Sequence, residues 1–212
     1  MEFCSKAKDL EMVMHHELIE DGVPVAGFYT TNLSALGYTK KQINSLRKHS
    51  MNLETESRPE IRIYGRKVKQ NRDVQFYSNT SAAYEYSGIK AEAKPLSVKM
   101  NNLRIRVNKY FGDRFNGVLV NSYESGERSI GPHGDSQINL GKSGVLCISF
   151  GATRKLRIRD KNKKIIVDIP SRDAEVLWMA GVKSQTHFMH EIPKELKVKE
   201  CRVSLTFRKH KC

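Results

Sequence analysis

The chain has 212 residues, enough to bury a sizeable core as one domain or as a core with an extension. Lys and Arg outnumber Asp and Glu by 37 to 23, and the resulting +14 charge is spread along the whole chain, so the expected partner is a polyanion, nucleic acid first. The four cysteines (Cys4, Cys147, Cys201, Cys212) never fall at C-x-x-C spacing and no apolar run approaches the length of a membrane span, which argues against a zinc or disulfide framework and against a membrane partner.

Residues 1–60 are mixed in character. "MEFCSKAKDLEMVMHH" lacks the apolar region of a signal peptide, so an intracellular location, cytoplasmic or nuclear, is expected. "TKKQINSLRKHS" (39–50) reads as a short amphipathic helix. Short β-like pieces follow: "EIRIYG", "DVQFYS" and "AAYEYSG". Residues 95–111 read as a helix that Pro95 opens, with Leu96, Met100, Leu103, Val107 and Phe111 recurring at helical spacing. After Gly112 come "GVLVNSY", "GVLCISFG", "RKLRIRD", "KKIIVDIP", "EVLWMAG" and "CRVSLTFRK", short strands separated by turns. Many short strands after one helix predict an α+β, mainly β, chain built on an antiparallel sandwich or barrel of the jelly-roll (double-stranded β-helix) type with helical support. The expected divisions are 1–58, 59–95 and 96–212, packed as one compact monomer.

Four stretches carry chemistry. In "SIGPHGDSQINLG" (129–141), His133 and Asp135 lie two positions apart, on the same side of an extended chain. "QTHFMHEIP" adds His187 and His190. Two histidines and one carboxylate are the inventory of a non-haem iron(II) site that keeps positions open. In the last strand, alternation sets Val203, Leu205 and Phe207 on one face and Arg202, Ser204, Thr206 and Arg208 on the other. That polar face is either a solvated outer surface or the wall of a site with an anion between its two arginines. In "VLVNSY", Asn121 and Tyr123 share a face and can hold a ligand oxygen.

Residues 118–208 resemble the AlkB-like 2-oxoglutarate- and iron(II)-dependent dioxygenases, through "NSY" (121–123), "IGPHGD" (130–135), "ISFGATRKLRIR" (148–159), "HEIP" (190–193) and "RVSLTFR" (202–208). Upstream, "IYGR" (63–66) and "YEYSG" (84–88) resemble the family's nucleotide-recognition region, so that 59–95 becomes a lid for the base and 1–58 an N-terminal extension. The resemblance implies that His133, Asp135 and His190 ligate Fe(II), with His190 preferred to His187 because it directly precedes the x-I-P turn. It implies that Asn121, Tyr123, Arg202, Ser204 and Arg208 hold 2-oxoglutarate, the dicarboxylate that lets two guanidiniums share a face. Oxidative demethylation of N-alkylated bases in DNA or RNA is then expected, coupled to decarboxylation of 2-oxoglutarate to succinate and release of formaldehyde. Tyr86 is expected to stack on the flipped base with Tyr84 beside it, and Phe76 and Tyr77 to join the lid. Tyr64 occupies the position of a wedge finger, and Arg154 is placed on the substrate side. Gln137 stands where the repair members carry a second acid, which weakens the expected preference for cationic lesions. Two other functions share this inventory: a same-fold dioxygenase acting on a protein or small molecule, and a basic binding module without catalysis.

Overall fold

The structure is a computed structural model that describes residues 2–63, 65–80, 83–86, 89–112, 114–135 and 144–210. Helix α1 (Glu2–Asp9) leads into strands β1 (Val13–Glu20) and β2 (Val23–Asn32), a 3-10 turn (Leu33–Leu36) and helix α2 (Lys40–Met51). A hairpin, β3 (Glu60–Ile63) and β4 (Arg66–Lys69), precedes β5 (Asp73–Ser78), and a second hairpin, β6 (Ala83–Tyr86) and β7 (Ile89–Glu92), follows it. Helix α3 (Val98–Phe111) comes next, then β8 (Gly117–Tyr123), β9 (Ile130–His133), β10 (Val145–Gly151), β11 (Arg154–Asp160), β12 (Ile165–Ser171) and β13 (Glu175–Ala180). A single turn of helix, α4 (Lys183–Thr186), β14 (Phe188–Ile192) and β15 (Arg202–Arg208) complete the chain.

Local chemistry sets the helix ends. Thr39 and Gln42 form a capping box at the start of α2. Ser97 accepts the Met100 N–H, so α3 begins at Val98; Pro95 lies ahead of the cap and does not open the helix. Gly112, at φ 62°, ends α3 in the left-handed region that glycine enters without strain.

Apart from the two hairpins, which stand as separate two-stranded sheets, the described strands form two antiparallel sheets. The larger runs β1-β2-β13-β10-β15-β8-β5 and the smaller β12-β11-β14-β9. Apolar residues between them, among them Phe28, Val145, Leu156, Ile158, Leu177 and Phe188, make one core. A second core fills the space between the outer face of the large sheet and helices α2 and α3, with Leu46, Leu103, Val107, Phe111, Trp178 and Leu205. This is the expected jelly roll with helical support, and β1 and β2 extend its large sheet.

Two lid residues are corrected here. Phe76 is fully buried on β5 against Val74 and Leu119. Tyr77 lies in the core under the helices, its hydroxyl donating to the Glu54 carbonyl at 2.7 Å. Both aromatics belong to a strand paired with β8, and pairing leaves them no freedom to close over a base.

Candidate active site

Strand pairing assembles the site. β9 and β14 are neighbours, with His133 directly opposite His190. Their ring centroids lie 4.3 Å apart. Asp135 follows two residues after His133, and its oxygens sit 3.8 Å from His133 Nε2 and 4.0 Å from His190 Nε2. One ligating atom from each residue falls within 4.8 Å of the other two. His187 caps the end of α4 on the surface, where its ring meets the Thr186 hydroxyl at 3.1 Å. The structure therefore brings His190, not His187, to the H-x-D pair.

The protonation states suit a metal. Burial first, then the neighbouring His190 and Arg72, push His133 down to about 3 against the pull of Asp135. Burial likewise lowers His190, with Arg208 and Arg72 adding to it and Asp135 opposing. Both rings are neutral at pH 7 and keep a lone pair to give. His133 Nδ1 lies 2.9 Å from the Gly131 carbonyl, which accepts only from a protonated nitrogen and so leaves Nε2 as the ligand atom. Burial would raise the carboxyl of Asp135, but Arg208 beside it and the two imidazoles hold it below the usual carboxylate range. Arg208 donates to one of its oxygens at 2.8 Å. The other, Oδ2, is buried and accepts no hydrogen bond. A buried anionic oxygen left without a donor is costly unless something cationic meets it. This donor set fits Fe(II).

Gly134, between the two ligands, is required by contact. A Cβ there would stand 2.4 Å from the Gln185 carbonyl oxygen. Gln185, itself fully buried, accepts the Asp135 N–H through its side chain at 2.9 Å. The turn that holds Asp135 is thus clamped by α4, a support that no spacing in the sequence reveals.

The inner face of β15 lines the same cavity. Ser204 is paired with Asn121 of β8, and Arg202 with Tyr123. All four are buried. Arg202 donates through one nitrogen to Ser149 and Ser171, at 2.9 and 3.0 Å, and stands 5.3 Å over the Tyr123 ring. Its other two nitrogens are buried and without partners. A guanidinium enclosed in this way calls for an anion, and a carboxylate of 2-oxoglutarate fits. The polar face of β15 is therefore a cavity wall and not a solvated surface.

Arg72, in the turn before β5, lines the cavity and was not expected from the sequence. Its Nε donates to Asn121 Oδ1 at 2.8 Å. Arginine has only donors, so this bond fixes the flip of the Asn121 amide and turns its NH2 away from Arg72, free to meet an acceptor.

Arg154 is corrected. It is fully buried and donates to Glu195 and to the carbonyls of Ser125, Arg128 and Pro193, at 2.7–3.1 Å. It ties two loops together and presents nothing to a substrate. Tyr84 and Tyr86 lie on β6, paired with Ala91 and Ile89 of β7. Tyr64 and Gln137 lie outside the described residues.

Comparison with known proteins gives a consistent result. The profile of the 2OG-Fe(II) oxygenase superfamily matches residues 30–208. The DNA oxidative demethylase ALKBH2 of Bos taurus is 33% identical over 159 residues, covering 70% of this chain and 56% of that protein. The alpha-ketoglutarate-dependent dioxygenase alkB homolog 3 of Homo sapiens is 34% identical over 136 residues, 59% of this chain and 47% of that protein. The chain thus spans about half the length of these curated relatives. The solved structure of OsALKBH1 superposes with a TM-score of 0.56 at 17% identity, over 93% of this chain and all of that one, and so shares the fold.

Proposed function

The chain belongs to the 2OG-Fe(II) oxygenase superfamily and is AlkB-like within it, and from this we propose that it removes alkyl groups oxidatively from base nitrogens in nucleic acid. The observation that carries the proposal is the buried pair of unmet charges: Asp135 Oδ2 beside two neutral histidines, and the two unpaired nitrogens of Arg202 in the same cavity. His133, Asp135 and His190 would hold Fe(II), and three protein ligands would leave positions open for 2-oxoglutarate and dioxygen. Bound together, iron and 2-oxoglutarate supply the oxidation, and 2-oxoglutarate becomes succinate.

The chain's own part is to bind and orient. Arg202 clamps one carboxylate, with Tyr123 beneath it and Ser204 alongside. Asn121 donates its amide to the cosubstrate, held in that flip by Arg72. Arg208 keeps Asp135 ionised and stands at the cavity's other end. Gln185 fixes the Asp135 backbone. Leu119, Ile130, Leu156 and Ile192 line the cavity with apolar surface, which keeps water away from the metal ligands.

Nucleic acid is favoured as substrate by the charge and by the β3–β4 hairpin. Every residue of β4, "RKVK", is exposed, so Arg66, Lys67 and Lys69 form a basic ribbon suited to phosphates. Tyr86 and Tyr84 belong to the base lid in this reading. Gln137, uncharged, weakens the preference for cationic lesions that a second acid would give. The test is a panel of N-methylated oligonucleotides, single- and double-stranded, in DNA and RNA, scored by loss of methyl groups with succinate and formaldehyde formed in step. Succinate formation with a protein or small molecule, and none with any oligonucleotide, would overturn the assignment.

A further inference from the structure

Helices α2 and α3 are unusual in charge. Lys40, Lys41, Arg47 and Lys48 stand on the first and Lys99, Arg104, Arg106 and Lys109 on the second, and neither carries an Asp or Glu. Between these helices and the turn after β2 lies a groove of about 800 Å³. It lies on the helical side of the large sheet, away from the metal ligands.

The groove is apolar as well as basic. α3 turns Met100, Leu103, Val107 and Phe111 into the core. Val98 and Ile105, which the core does not use, line the groove and are 79% and 53% exposed. With Asn102 and Lys109 they form one stripe at helical spacing. Leu36, Leu46 and Tyr110 continue the apolar lining. Cations rim it: Lys99 donates to Ser45 at 2.8 Å, and Arg106 sits 4.3 Å over the Tyr38 ring while donating to the Gly37 carbonyl. Among the described residues no carboxylate pairs with Lys99, Arg106 or Lys109.

We propose that this groove docks an acidic amphipathic helix of a partner protein. Such a helix buries Val98 and Ile105 under its apolar face and brings carboxylates to the lysine rim. The stripe from Val98 to Lys109 is roughly 16 Å long at 1.5 Å per residue, which sets the docked segment at about three turns. A phosphate backbone would satisfy the lysines but would gain nothing from the two exposed aliphatic residues at the floor, which is why a peptide is the better occupant. Docking here leaves the cavity between the sheets open. The inference stands on the helical layer alone and does not depend on the dioxygenase reading.

The test uses the full chain and a fluorescent peptide of about 12 residues with leucines at helical i, i+3/i+4 and i+7 positions and glutamates elsewhere. Controls are a scrambled peptide of the same composition and a single-stranded oligonucleotide of mixed sequence. Saturable binding to the patterned peptide is expected, lost on the scrambled one. Ile105→Glu and Lys109→Glu should each weaken it about tenfold or more, because one removes the apolar contact and the other reverses a rim charge. Both positions are on the surface of α3, and unchanged melting curves would show that the variants fold. Equal binding of the scrambled peptide, wild-type affinity in both variants, or displacement of the peptide by the oligonucleotide would overturn the proposal.

Discussion

The two faces of the large sheet are built from the same strands and have opposite needs. On the outer face, Val203, Leu205 and Phe207 of β15 meet the helices and are satisfied by packing alone. On the inner face, one residue out of step, Arg202, Ser204, Thr206 and Arg208 are just as buried and line a cavity. The outer face is complete when the chain has folded. The inner face still carries two guanidinium nitrogens of Arg202 with no partner, and it shares its cavity with an Asp135 carboxylate oxygen, beyond β9 of the small sheet, that has none either. Alternation with a period of two thus lets one strand hold the fold together on one side and keep an unmet charge on the other. The lesson is that burial alone does not mark a core: what marks a site is burial without satisfaction.

The sharpest test of this contrast is His190→Ala. Turnover should fall below detection by formaldehyde and succinate assays, while the melting temperature of the metal-free protein stays near wild type. On the outer face Leu205→Ala should do the reverse. It should cost about 2–5 kcal/mol by denaturant unfolding, since the cavity left beneath the helices adds to the lost transfer energy. The 2-oxoglutarate affinity of the folded fraction should hold. Arg202→Met should lower 2-oxoglutarate affinity by about a hundredfold or more, measured by calorimetry with Mn(II) in place of iron. The same variant should melt no lower than wild type without ligands, because it removes an incompletely paired buried charge. A large loss of stability there would erase the distinction between the faces.

Two smaller effects refine the contrast. Arg72→Ala should weaken 2-oxoglutarate by about tenfold by freeing the Asn121 amide to flip, and should add little in an Asn121→Ala background. Additive losses would show that Arg72 acts on its own. His210, two residues beyond β15, packs edge-on against Phe76 at 4.7 Å, and burial, with Arg208 near it, lowers it to about 4. Above pH 6.5 neither folded nor unfolded chain protonates it, and the stability is complete. Between 6.5 and about 4 the unfolded chain takes up a proton that the folded one refuses, so stability falls as pH falls. Urea melts across that window should show a flatter pH dependence in His210→Gln than in wild type.

The metal and cosubstrate were legible in the sequence through short motifs that resemble a known family, whereas period alone left the polar face of β15 open between a solvated surface and a site. The H-x-D pair and the alternation of β15 place side chains by period alone, and the structure joins them. What long-range pairing decides was not legible. "NRDVQFYS" gives no sign that Arg72 enters the cavity, because only the docking of β5 beside β8 brings it to Asn121. Gln185 clamps Asp135 across fifty positions of sequence. Phe76 and Tyr77 suggested a lid because aromatics in a short strand look the same at a sheet edge and in a core. Arg154 is placed on the substrate side by the sequence, and only its cage of carbonyls shows otherwise.

Arg154 also bears on the order of events as the chain folds. Its guanidinium joins the loop before β9 to the loop after β14, so it finds its partners only when β14 has docked on β11 and β9 on β14. His133 and His190 meet by the same long-range pairing, more than fifty positions apart. Contacts of this kind form late, because closing large loops costs entropy before the contact compensates. A partly folded chain therefore holds its two histidines apart, and a metal ion finds three ligands together only on a finished frame. Hydrogen exchange should accordingly show the β9–β14 amides becoming protected after those of β10 and β15, with metal capture following last.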